Sequence, residues 1–169
     1  MLKSGHTKRA IRVLLVGLAG QHVSELEAIL GSRRPRIIQA ETCVDGWKRL
    51  HESTFDVLIA HETAEGGGWR DLVAEIADMR LALPVVLASA KPDERLWVDA
   101  LSAGAYDVLE VPFHSAETSR VLLTAAQQRD HAAPDARRRS SRLDMLRRAA
   151  ALAAPPAGSP AGLSTSHGI

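Results

Sequence analysis

Several things are scarce in this 169-residue sequence, and each scarcity narrows what it can be. It has one cysteine, Cys43, so no intrachain disulfide can form, and a reducing cytoplasm is the compartment expected. No apolar run approaches the roughly 20 residues that a membrane-spanning helix needs. The first ten residues are basic and polar, without the apolar centre of a secretion signal. Aromatic residues make up only 4%, and none lies in the arginine-rich stretch near the C-terminus, where base stacking would call for one. Beyond Leu152 there is no Lys, Arg, Asp or Glu at all.

What is present is a soluble, globular composition, 46% hydrophobic and 24% charged. The formal charge of +1 conceals an asymmetry. Residues 129–152 hold seven arginines against three aspartates, net +4, which leaves residues 1–128 at net −3. An acidic domain with a basic appendage is expected.

Along residues 9–128, short apolar runs alternate with helical periodicity. Ile11 to Gly17, Pro35 to Ala40, Phe55 to His61, Pro84 to Ser89 and Tyr106 to Val111 read as strands. Between them, Val23 to Leu30, Val44 to His51, Trp69 to Met79 and Asp93 to Ser102 carry apolar residues at helical spacing. A fifth helix from Ser115 to about Gln128, with Ser115 and Thr118 as capping candidates, completes the alternation. Five strands alternating with five helices predict an α/β doubly wound parallel sheet. Residues 129–152 form a basic helical candidate and 153–169, rich in Ala, Pro, Gly and Ser, a disordered tail; residues 1–8 are a flexible N-terminus. In such sheets chemistry sits at the carboxyl ends of the strands, which puts His61 at the focus.

Several strings, in register, resemble the receiver domain of two-component response regulators. Phe55-Asp56-Val57-Leu58-Ile59-Ala60 is similar to that family's third strand, and Pro84 to Ala90 to its fourth, with Ser89 at a Ser/Thr position. Ala103-Gly104-Ala105-Tyr106-Asp107-Val108-Leu109 followed by Val111-Pro112-Phe113 carries the most specific likeness. The resemblance implies a flavodoxin-like sheet of strand order 2-1-3-4-5 with helices on both faces. It also implies an acid pair for Mg2+ after the first strand, an Asp phosphoacceptor ending the third, and a Lys before the Pro-Phe. Those positions hold Gly17 and Leu18, His61, and Val111; only Ser89 remains. Mg2+ wants carboxylate oxygens, and an aspartyl phosphate needs a carboxylate nucleophile with a cation beside it. A degenerate, phosphorylation-independent receiver is therefore expected, not an enzyme, with no cofactor and no metal. Leu18, Val111 and His61 are expected to pack together in the vacated pocket.

Other features give weaker expectations. His61 or Glu62 as an unusual phosphoacceptor lacks supporting groups, and Glu62 falls on the opposite side of an extended backbone from His61. His22, His61, Glu62 and Glu65 have metal-ligand chemistry but no recognised spacing. Gly17-Leu18-Ala19-Gly20 lacks the third glycine of a nucleotide-binding turn, and the second strand has only Glu41 near its end. Gly66-Gly67-Gly68 predicts a flexible surface loop, or else a mobile cover. The resemblance implies docking through the fourth-helix, fifth-strand and fifth-helix face, here Trp97, Leu101, Tyr106 and Val108. The partners expected are a signalling protein, such as a histidine kinase or regulator, or a second copy of the chain. Arg137, Arg138, Arg139, Arg142, Arg147 and Arg148 could meet an acidic protein surface or nucleic acid, with a solvated extension the commoner outcome. No membrane partner is expected.

Overall fold

The strands are short and apolar because both faces of the sheet are covered. In the computed structural model, which describes residues 9–129, β1 (Arg12–Val16), β2 (Arg36–Ala40), β3 (Val57–His61), β4 (Val85–Ser89) and β5 (Asp107–Glu110) form one parallel sheet in the order β2-β1-β3-β4-β5. Side chains alternate across a strand, so consecutive residues enter different layers. Leu14, Val16, Leu58, Ala60, Val85, Leu87 and Val108 face one cluster, with Val13, Leu15, Val57, Ile59, Val86, Ala88 and Leu109 in the other. The first cluster is covered by α2 (Cys43–Glu52), α3 (Trp69–Asp78) and α4 (Glu94–Ala103). The second is covered by α1 (Gly20–Leu30) and by α5, helical over 115–129. The expected doubly wound fold and strand order are therefore present. The expectations for residues 1–8 and 130–169, including the Arg137 to Arg148 cluster, lie outside the described residues.

Local chemistry explains most element ends. Thr42 caps α2 by accepting the Asp45 N–H (3.2 Å), and Asp93 caps α4 by accepting the Leu96 N–H (2.7 Å). Gly104, at φ +102°, ends α4 in the left-handed conformation that glycine adopts freely. Two details differ from expectation. Helix α1 starts at Gly20 rather than Val23, which turns His22 inward. Thr118 caps nothing: its hydroxyl is buried without a hydrogen-bond partner among the described residues, because its place in the first turn of α5 faces the core.

At the amino edge of the sheet, Asp56 is buried beneath a set of donors. Its carboxylate accepts the Arg12 N–H (2.8 Å) and the guanidinium groups of Arg9 (2.5 Å) and Arg129 (2.9 Å). The cluster joins the chain entering β1 to the last turn of α5, on the side of the sheet away from His61.

Candidate functional site

The carboxyl ends of β1, β3 and β4 lie side by side, with Val16 opposite Ala60 and His61 opposite Ala88. Around them sit the β1–α1 turn (Gly17 to Ala19), the β3–α3 loop (Glu62 to Gly68) and the β4–α4 loop that begins after Ser89.

The β1–α1 turn is closed and apolar. Gly17 adopts φ +71° and donates its N–H to Ala40 O (2.9 Å), while Gln39 Nε2 donates to Leu18 O (2.6 Å). A Cβ added at Gly17 would stand 2.6 Å from the Ala64 Cβ, so Ala64 occupies the space above this residue. Leu18 is buried in the same apolar cluster as Val111 and Phe113. Leu18 and Val111 thus share a core, and His61 stands beside the turn, its Cβ 3.6 Å from a Cβ added at Gly17. The His61 Nδ1 accepts the Thr63 N–H (3.2 Å) and is hydrogen-bonded to the Thr63 hydroxyl (2.9 Å).

Glu62 departs from the extended-strand expectation. Its N–H continues the ladder to Ala88 O (2.9 Å), but the chain turns immediately after it. That turn lets its Oε1 accept from the Ser89 hydroxyl at 2.6 Å. Ser89 is wholly buried, and its Oγ also accepts the Lys91 N–H (3.2 Å). Because β3 ends at His61, the alternation of an extended strand does not govern Glu62.

The triple-glycine loop is exposed but fastened. Glu65 O accepts the Cys43 N–H at 2.7 Å, and Gly66 and Gly67 hold φ of +79° and +109° against the start of α2. The glycines thus serve a bend that brings Ala64 over Gly17. Burial pushes the Cys43 thiol up from its ordinary value, with Asp71 adding to the shift.

His22 is not paired with His61. Its Nδ1 donates to Glu25 Oε2 (3.1 Å), and its ring meets Phe113 edge-on, with centroids 5.6 Å apart. Glu25 Oε2 also accepts the Phe113 N–H (3.3 Å). The His22 hydrogen bond, more than the Phe113 N–H, lowers the Glu25 carboxyl below its ordinary value against an opposing burial effect. Among the described residues, no three His, Cys, Asp or Glu side chains converge as metal ligands. The proposed face also needs correction. Val108 is buried in the sheet, and Trp97 and Tyr106 are partly buried against the two cores. On α4 the exposed apolar side chains are Leu101, which the expected face included, and Val98, which it did not.

Solved structures share this fold. A signal receiver domain of an HD domain-containing protein from Pseudomonas fluorescens Pf-5 superposes with a TM-score of 0.64 at 20% identity, covering 73% of this chain and 99% of its own. This chain has the receiver-domain fold. The receiver domain of a putative LuxO repressor protein from Vibrio parahaemolyticus matches at TM-score 0.65 and 20% identity, covering 72% of this chain and 93% of that one. The receiver domain of sensor histidine kinase PA1611 from Pseudomonas aeruginosa PAO1 has a magnesium ion coordinated in its active site cleft. It matches at TM-score 0.59 and 21% identity, over 70% and 98% of the two chains. No family model matches the sequence, and no curated protein matches it.

Mg2+ does not fit the corresponding residues here. The ion requires several oxygen ligands in a near-octahedral array. Gly17 has no side chain and no room for one, Leu18 is buried among apolar groups, and the nearby carboxylate, Glu62, is engaged by Ser89.

Proposed function

We propose that this protein is a phosphorylation-independent receiver module, acting by protein–protein contact in two-component-type signalling. The observation that carries the reading is the filling of the receiver cleft from within: Ala64 lies over Gly17 and the Glu62 carboxylate sits on Ser89. Phosphoryl transfer rests on positioning and charge stabilisation. The groups that would supply them are replaced by Gly17, Leu18, His61 and Val111. His61 is a poor substitute acceptor, since one ring nitrogen is engaged by Thr63 and no lysine lies at position 111.

The contact surface in this reading is the outer face of α4, where Val98 and Leu101 are exposed one turn apart and Glu94 opens the helix. A signalling protein or a second copy of the chain is the partner this face suits. Mg2+ titration of the full chain, followed by tryptophan fluorescence and calorimetry, tests the reading. No saturable binding is expected; a stoichiometric site with carboxylate-dependent affinity would overturn it.

A further inference from the structure

We propose that Glu62 is a built-in strut that holds α4, and with it the exposed Val98–Leu101 face, in one position without any added group. The inference rests on the cleft reading above but goes beyond it. Helix α4 is the least anchored of the helices from α1 to α4. It buries only Ala100 fully, with Leu96 and Trp97 partly buried against the core, whereas α3 buries Trp69, Leu72, Val73 and Ile76, and α1 and α2 bury three residues each. A helix held so lightly by packing takes its position from its ends. Its carboxyl end is set by Gly104, whose N–H bonds back to α4, and by Ala105, whose N–H reaches Ala100 O (2.9 Å).

Its amino end is reached from β4 in the four residues after Ser89, Ala90 to the Asp93 cap. The Ser89 hydroxyl is fully buried there. It donates to Glu62 Oε1 at 2.6 Å and accepts the Lys91 N–H at 3.2 Å, so one carboxylate fixes the hydroxyl that fixes the loop. The Glu62 backbone is held by its N–H bond to Ala88 O (2.9 Å). The other polar tie to α4, Arg70–Asp99 at 3.2 Å, lies between exposed side chains, where ion pairs contribute little. Glu62 is thus a positioning residue: it acts on the α4 face through Ser89 and Lys91.

Hydrogen exchange of the full chain, read by mass spectrometry, tests this. Glu62→Ala and Ser89→Ala should each speed exchange over residues 90–103 about tenfold, as loss of a charge-assisted hydrogen bond implies. Helices α1 to α3 should keep their protection. The double variant should exchange no faster than either single one. Glu62→Gln, whose amide oxygen can still accept from Ser89, should restore the wild-type pattern. Wild-type protection of 90–103 in Glu62→Ala would overturn the strut, as would a loss spread evenly over all helices. If Ser89→Ala does not fold, the two Glu62 variants carry the test, since that side chain is partly exposed. A phosphate adduct on the wild-type protein would refute the cleft reading and leave these exchange results standing.

Discussion

Gly17→Ala is the substitution that most sharply tests whether the cleft is filled. Two costs combine at this position. A non-glycine residue at φ +71° pays about 1–2 kcal/mol for the left-handed backbone. The new methyl would also stand 2.6 Å from the Ala64 Cβ and 2.9 Å from its Cα. The second of these is backbone, so relief requires moving the loop that Glu65 O and Cys43 N–H hold down. Overpacking of this kind costs about 1–3 kcal/mol. Together the loss is about 3 kcal/mol, which lowers the melting temperature by about 10 °C in a domain of this size. Gly20→Ala supplies the control, since nothing lies within 4 Å of its added Cβ and its φ is not in the left-handed region. There the change should be neutral or stabilising by about 0.5 kcal/mol. Urea unfolding of both variants gives the comparison. A Gly17→Ala protein within about 0.5 kcal/mol of wild type, below the range expected for overpacking, would refute the filled cleft.

Asp56→Ala leaves the Arg129 guanidinium facing a vacancy and strips an acceptor from the Arg12 N–H. The expected loss is about 3 kcal/mol by denaturant unfolding, at the low end for breaking a buried pair because the Arg9 side chain is largely exposed. Glu25 is held below its ordinary carboxyl value, so its contribution is present above that value of 4.5 and is lost as pH falls through the lowered one. Glu25→Gln should therefore flatten the acid limb of stability against pH below 4.5, while leaving the neutral region parallel to wild type. Cys43 is buried and its thiol is pushed up, so alkylation at neutral pH should be slow in the folded protein and fast in urea.

The sheet was legible from sequence because both of its faces are covered. Runs such as Val57-Leu58-Ile59-Ala60 need no partner information to be read as interior strands, and Gly104 and Asp93 mark α4 by their own chemistry. The emptied receiver positions were also readable, because losing an acid, an Asp or a Lys is visible one residue at a time. How the cleft was refilled was not. Ala64 meets Gly17 only because Gly66 and Gly67 bend the loop onto the start of α2, where Cys43 Sγ lies 3.9 Å from Ala64 O across 21 residues of sequence. Glu62 reaches Ser89 only because β3 ends one residue earlier, and a periodicity of two cannot announce its own end. Likewise Val108 looked like a surface residue in a linear motif, yet pairing with Leu87 puts it in the interior.

Phosphorylation itself decides the matter most directly. The full chain is incubated with acetyl phosphate and Mg2+ and its intact mass is measured. The cleft described here predicts an unchanged mass, with binding partners then the route to function. A stoichiometric phosphate adduct on His61 or Glu62 would contradict it and restore a phosphorelay role.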